Sequence, residues 1–338
     1  MIPIQNIYYM LSYAFQVLNE QGYKNIATEQ FNNTGELMAA ILEKGIAIQL
    51  KRGLGKEYIL QTEALSSLRG KIDIAESIKT QSMLRKQLIC TYDEFSVNSI
   101  MNRIIKSTVE LLLRSNISKQ RKKNLRKLMV YFSEVDFIDL YTVNWNVQYN
   151  RNNQTYRMLI SICYLVVKGL LQTQSNGHTE LMDFLDEQRM CRLYEKFILE
   201  YYRKEFKNQF TANASQIPWQ LDNEENSMLP VMQSDIMLQS GEKVLIIDAK
   251  YYEHSTQVQF DKHTLHSGNL YQIFTYVKNK EYELREKDHT VSGMLLYAKT
   301  DEEIYPNNVY QMSGNQITVR TLDLNLPFDE IAGQLNTI

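Results

Sequence analysis

Val244-Leu245-Ile246-Ile247-Asp248-Ala249-Lys250 is the stretch on which the fold of this 338-residue chain turns. Four consecutive apolar residues read as a buried strand. The strand ends in a carboxylate and an ammonium two positions apart. Because side chains alternate along a strand, Asp248 and Lys250 share one face. Just upstream, Gln239-Ser240-Gly241-Glu242 has the composition of a hairpin turn. The partner strand is expected over Ser227–Gln239 and carries Asp235 in Ser234-Asp235-Ile236, thirteen residues before Asp248. Antiparallel pairing across the turn would set Asp235 beside Asp248. Two carboxylates and a lysine at the end of buried strands repel one another and lose hydration unless a cation offsets them. Mg²⁺ is a hard cation suited to carboxylates and phosphate oxygens, with Mn²⁺ as a substitute. It lowers the pKa of a bound water and stabilises charge on a phosphate. Lys250 would orient that water or stabilise the transition-state charge. Phosphodiester hydrolysis is therefore the expected reaction.

Outward from the hairpin, the preceding segment, roughly Glu180 to Phe210, has apolar residues at helical spacing, among them Leu193, Phe197 and Ile198. After the hairpin a helix is expected over Thr264–Lys280, then strands near Val291–Ala298, Val309–Met312 and Gln316–Leu322. Helix, hairpin, helix, strand is the order of a small mixed sheet flanked by helices. The first half alternates helices and strands. Helices are expected at Ile4–Leu18, Gly35–Leu50, Ser99–Arg114, Ser118–Phe132 and Thr155–Leu171. Extended stretches are expected at Tyr58–Ile74, with a bend at Gly70, and at Leu88–Val97. The polar run Gln172–His178 lacks apolar anchors and divides the chain into expected domains of 1–177 and 178–338. The fold class is α+β.

Composition sets the outer bounds. With 44% apolar and 22% charged residues the chain can bury a sizeable interior. Its 37 Lys and Arg against 39 Asp and Glu give no global pull toward nucleic acid, so any DNA contact must come from local patches. Cys90, Cys163 and Cys191 lie far apart without a CxxC pair, which excludes a disulfide framework and a structural zinc site. The longest apolar run, Met158–Leu171, is interrupted by Ser161 and Lys168 and is shorter than the roughly 20 residues that span a bilayer. The opening MIPIQNIYYMLSYAF lacks the pattern of a signal peptide. A cytoplasmic protein without a membrane segment is expected. Gly53-Leu54-Gly55-Lys56-Glu57 is no phosphate loop, since Leu50 replaces the first glycine and Glu57 the Mg²⁺-holding hydroxyl, so no bound nucleotide is expected.

The Asp235, hairpin, Asp248-Ala249-Lys250 arrangement resembles the PD-(D/E)XK nuclease signature, with Ser234 where proline is usual. Three further segments, Asn6-Ile7-Tyr8-Tyr9-Met10-Leu11-Ser12-Tyr13-Ala14, Leu68-Arg69-Gly70-Lys71-Ile72-Asp73 and Cys90-Thr91-Tyr92-Asp93-Glu94-Phe95, resemble the McrC family, as does Asp248-Ala249-Lys250-Tyr251-Tyr252. That resemblance implies the nuclease subunit of a modification-dependent restriction system. Such a subunit would work with a McrB-like AAA+ GTPase that recognises modified DNA, stimulating its GTP hydrolysis and cutting double-stranded DNA. The N-terminal region would be the docking module. The resemblance also implies a metal set of Asp235, Asp248, Glu195 and the Ala249 carbonyl, with Glu200 as competitor to Glu195. Gln272 and Tyr276, four apart on one helix face, resemble a QxxxY element that contacts DNA or supports the lysine.

Each assignment has a plainer counterpart. Asp248 and Lys250 could be an ordinary salt-bridged edge, Glu195 a solvated helix residue, and Gln272 with Tyr276 simple helix packing. His263 and His266 form an HxxH with no third ligand nearby, which points to a loop or helix cap. Lys119–Lys127 holds six basic residues in nine with no acid, either a solvated face or a phosphate contact. The competing functions are a non-catalytic adaptor of the GTPase ring and a stand-alone repair nuclease of the same fold.

Overall fold

A computed structural model describes residues 2–19, 23, 26, 29, 31–151, 153–175, 187–222, 228–252, 257–259, 262–299 and 305–338. The chain divides into two compact units, Asn32–Asp183 on one hand and Met1–Phe31 together with Phe184–Ile338 on the other. The first helix, α1 (Ile4–Ala14), belongs to the second of these.

The Asn32–Asp183 unit opens with α2 (Thr34–Arg52), whose cap Asn33 accepts the backbone N–H of Glu36 and whose end is marked by Gly53 at φ 91°. Next come β1 (Glu57–Leu65), β2 (Lys71–Asp73), the short helix α3 (Ile74–Lys79) and β3 (Leu88–Ser96). They form an antiparallel sheet in the order β1-β3-β2. Gly70 supplies the expected bend at φ 69°, pressed so close to the Thr91 carbonyl that a Cβ would lie 2.4 Å from it. Ile74 starts a helix, so the extended stretch ends one residue earlier than expected. Helices α4 (Ile100–Arg114), α5 (Lys119–Met129) and α6 (Tyr156–Ser175) complete the unit, the first two capped by Ser99 and Ser118. Leu37, Ile41, Ile104, Leu112, Leu125 and Ile162 make its apolar centre. Asn102 is a fully buried polar tie. It donates to the carbonyls of Gly55 (2.9 Å) and Val97 (2.8 Å) and accepts from Tyr156 Oη (2.7 Å).

The other unit carries α7 (Glu187–Glu205), β4 (Thr211–Asn213), β5 (Gln216–Ile217), β6 (Met232–Gln233), β7 (Ile236–Ser240), β8 (Lys243–Lys250), β9 (Gln257–Gln259), β10 (Lys262–Thr264), α8 (Ser267–Leu284), β11 (Thr290–Ala298), β12 (Asn308–Met312), β13 (Asn315–Leu322) and α9 (Phe328–Asn336). Its six-stranded sheet has the order β12-β13-β11-β8-β7-β4. The β8-β11 and β11-β13 pairs are parallel and the rest antiparallel. This is the expected mixed sheet with flanking helices: α7 packs on β4, β7 and β8, and α8 on β8, β11 and β13. Val244 and Ile246 of β8 are buried with Ile273, Tyr276 and Val277 of α8. Gly293 on β11 lets α8 approach, since a Cβ there would sit 2.8 Å from Val277 and 2.9 Å from Ile273 and Ile317. Helix α9, which no expectation covered, buries Ile331 and Leu335.

Two expectations need correction. Residues 1–31 do not join the N-terminal domain expected over 1–177, and the division falls between Asp183 and Phe184. The cause is the composition of α1. Asn6 donates to the carbonyls of Leu324 and Leu326, both at 2.8 Å. Tyr9 stacks on Phe328, and Tyr13 packs against Phe197, Tyr201 and Phe328 while donating to Glu205. Those partners lie in the unit of the six-stranded sheet, so Tyr13 is part of its core and Tyr9 borders it. The long strand expected over Ser227–Gln239 is instead two strands, β6 and β7, interrupted at Ser234-Asp235. Ser234 Oγ turns back to the Ser215 carbonyl at 3.1 Å, and Asp235 uses its side chain where a strand would use its backbone. Residue 227 and the expected helical residues 180–186 lie outside the described residues.

Candidate active site

The hairpin between β7 and β8 is a two-residue loop, Gly241-Glu242, with Gly241 at φ 56° as a first hairpin position requires. Its register pairs Ile236 with Ile247, so one step further along the ladder Asp235 stands opposite Asp248. The Asp235 carboxylate bridges the strands, its Oδ2 accepting the Ala249 N–H at 2.9 Å. The alternation that buries Val244 and Ile246 under α8 carries Asp248 and Lys250 to that same face.

Asp248 is 1% exposed, and its Oδ1 has no hydrogen-bond partner among the described residues. Lys250 Nζ lies 2.8 Å from its Oδ2 as an ion pair. A buried anion paired on one side only is costly, and such a group calls for a further cation or donor. Asp235 expresses the same strain. Burial first, then the negative charges of Asp248 and Glu195, push its carboxyl up to about 8. Burial works against the Lys250 ammonium, but Asp248 and Asp235 outweigh it and hold the group above the usual lysine range. Lys250 is therefore held in its charged, ammonium form.

Helix α8 supports the lysine. Gln272 Oε1 accepts from Lys250 Nζ at 3.4 Å, and Gln272 Nε2 donates to Tyr276 Oη at 3.0 Å. Tyr276 is buried, so of the two roles expected for this pair the geometry fits support of the lysine. Helix α7 contributes Glu195, which lines a cavity of about 390 Å³ with Arg192, Lys196, Ala214, Gln233 and Asp235. Glu195 accepts the Cys191 thiol at 3.1 Å. Glu200 pairs with Arg203 at 2.8 Å, while Glu195 lines the cavity beside Asp235. Among the described residues no three His, Cys, Asp or Glu side chains form a closed metal cluster. The two aspartates are together, and Glu195 borders them with its carboxylate engaged. The unpartnered Oδ1 of Asp248 and the raised Asp235 are what a divalent ion would satisfy, so the donor set fits one.

Sequence reasoning missed a second polar chain beneath the lysine. Tyr252 Oη donates to Asn269 Oδ1 at 3.3 Å, and Asn269 Nδ2 donates to Tyr297 Oη at 2.9 Å. Tyr297 is the cross-strand partner of Lys250, and burial raises its hydroxyl to about 12. Asn269 stands three residues before Gln272 on the same helix face, a spacing that was available in the sequence. Tyr297 was not available, because only the parallel β8-β11 register brings it there. His266 takes its expected place as the cap residue of α8, while the His263 side chain lies outside the described residues. All three cysteines are free, Cys90 and Cys163 buried and Cys191 partly so. No described helix is long and apolar enough to cross a membrane.

A family model described as "McrBC 5-methylcytosine restriction system component" matches residues 5–298. The chain is 30% identical over 329 residues to the type IV methyl-directed restriction enzyme EcoKMcrBC of Escherichia coli K12, covering 96% of this chain and 93% of that protein. Among solved structures it is similar to a half-complex of Thermococcus gammatolerans McrB AAA+ hexamers with bound McrC. That likeness has 18% identity, covers 99% of this chain and 75% of the other, and has a TM-score of 0.49. A cryo-EM structure of the Thermococcus gammatolerans McrBC complex matches at 23% identity, 60% and 59% coverage and a TM-score of 0.43. With the family model extending over most of the chain and a relative aligned nearly end to end, this chain belongs to the family of McrBC 5-methylcytosine restriction system components.

Proposed function

We propose that this chain is the DNA-cutting subunit of a McrBC-type, modification-dependent restriction system, acting in the cytoplasm. It hydrolyses phosphodiester bonds of double-stranded DNA with Mg²⁺ and stimulates a McrB-like AAA+ GTPase. The observation that carries the reading is Asp248, a buried carboxylate whose Oδ1 has no hydrogen-bond partner among the described residues, set beside Asp235 and Lys250.

Asp235 and Asp248 would hold the metal, with Glu195 and the Ala249 carbonyl as further ligands. A bound divalent ion supplies Lewis-acid polarisation of the phosphate and a more acidic water. Asp235 would exchange its proton for the cation. Lys250, kept charged by Asp248 and steadied by Gln272, would donate to a phosphate oxygen on which negative charge develops. Arg192 and Lys196, at the rim of the Glu195 cavity, would offset the charge of an entering phosphate. The docking role expected for the N-terminal region falls to the Asn32–Asp183 unit. Its three-stranded sheet leaves Tyr58 75% exposed beside Phe95 and Leu60, an apolar surface of the kind that partners cover.

The test is Asp248→Ala in the chain reconstituted with its GTPase. Cutting of methylated DNA should vanish while partner binding and GTPase stimulation persist, and calorimetry should show loss of Mg²⁺ and Mn²⁺ binding. Intact cutting by the variant would defeat the assignment.

A further inference from the structure

The net charge of −2 hides a segregation that only the division into units reveals. Asn32–Asp183 carries 21 Lys and Arg against 14 Asp and Glu, a net +7. The sheet-bearing remainder carries 16 against 25, a net −9. The unit with the candidate catalytic groups is thus the one that a polyanion is least drawn to.

Within the basic unit, the charge is concentrated on one helix and on one side of it. The inner side of α5 is fixed by Leu125, which is fully buried, and by Arg121, which pairs with Glu43 at 2.9 Å and Glu36 at 3.4 Å on α2. Asn124 adds a hydrogen bond to Glu43 at 2.9 Å. These contacts fix the rotation of the helix and turn the other cations outward. Lys119, Lys123, Arg126 and Lys127 are exposed and form no ion pair among the described residues. At i, i+4, i+7 and i+8 they form one stripe about 12 Å long. The helix itself contains no acidic residue that could neutralise them. Unlike Arg121, these four stand as a row of charges with no acidic ion-pair partner among the described residues.

We propose that the outer face of α5, built by Lys119, Lys123, Arg126 and Lys127, grips the sugar-phosphate backbone of double-stranded DNA without reading its sequence. This rests on the nuclease reading for its substrate. It assigns the electrostatic hold on DNA to the basic unit and the chemistry to the acidic one. Cations that neutralise phosphates release condensed counterions, so each contact steepens the dependence of binding on salt by ~0.9 in log–log slope.

The experiment uses the full chain, in EDTA so that nothing is cut. Fluorescence anisotropy with a labelled duplex of about three helical turns is recorded from about 50 to 200 mM salt. The triple variant Lys123→Glu, Arg126→Glu, Lys127→Glu should lower the salt slope by about 2 to 3 and weaken binding more than tenfold. The corresponding triple Gln variant should fall between it and the parent. Lys71→Glu, Lys79→Glu, Lys86→Glu, an equal charge change on the same unit, should bind much more tightly than the α5 reversal. Thermal melts check that each variant is folded. The inference is overturned if the parent shows no salt-dependent binding, if the α5 variants keep its slope, or if the control falls as far. It is also overturned if DNA binding survives while the GTPase no longer co-purifies, which would make the face a protein-docking surface. Divalent-ion calorimetry on the same proteins reads the candidate active site separately. Failure of the nuclease reading would appear there and in Asp248→Ala, not in the salt slope.

Discussion

Replacing Asp235 by Asn should change how the metal-free protein responds to pH. In the folded chain burial, Asp248 and Glu195 raise the Asp235 carboxyl to about 8, against about 3.9 in an unfolded chain. A group whose folded pKa is the higher one supports the fold at acid pH, below the unfolded value. That support drains away as pH climbs through the folded value. Each pH step between the two values removes about 1.4 kcal/mol, so a rise from pH 5 to 8 removes up to about 4 kcal/mol. For a unit of 150–250 residues that corresponds to a fall in Tm of about 10 °C. In Asp235→Asn the introduced amide is neutral throughout, and its carbonyl oxygen can still accept the Ala249 N–H. The variant should therefore lose most of this slope and be the more stable protein at pH 8. Calorimetric melting in EDTA across that range, with both proteins in parallel, measures the difference directly. Adding Mg²⁺ should restore the parent at pH 8, since a cation replaces the missing proton, and should leave the variant nearly unmoved. Parallel pH curves for the two proteins would refute the claim that the pair is a strained anion site.

Gln272→Ala removes the acceptor that steadies Lys250 without touching the aspartates, so turnover in the reconstituted system should fall roughly tenfold, the scale of a lost supporting contact. Divalent-ion affinity from calorimetry should stay within about twofold, and a parallel loss of affinity would place Gln272 in the metal set instead. Gly293→Ala drives a methyl to within 2.9 Å of Val277, Ile273 and Ile317. Chemical denaturation should show a loss of about 1–3 kcal/mol, and an unaltered midpoint would mean that α8 moves off β11 more freely than its packing implies.

The residues that carry the chemistry were legible because strand periodicity is a local property. A buried run ending in Asp-Ala-Lys already commits Asp248 and Lys250 to one face, and a Gly-containing turn commits the preceding segment to antiparallel pairing. The order of helices and strands in the second half likewise follows from period and turn residues. The polar floor of Asn269 and Tyr297 was hidden, because a parallel strand arriving from beyond a helix leaves no mark in the neighbouring sequence. The break at Ser234-Asp235 was hidden for a related reason. Its driving force is a hydrogen bond from Ser234 to Ser215, nineteen residues away.

The amino-acid order thus determined a mixed sheet, a hairpin bearing two aspartates and a lysine, and a helix with six cations. Tertiary packing decided what those features are for. It placed Tyr8 and Tyr13 of the first helix in the core of a unit formed chiefly by the second half of the chain. It spent Arg121 on two glutamates while leaving four neighbouring cations outward. Among the described residues, it also closed Asp248 off from every cation except its own strand's lysine. Each outcome depends on which distant surface a side chain meets, and burial energy and Coulomb energy are set by that surface and not by the residue alone.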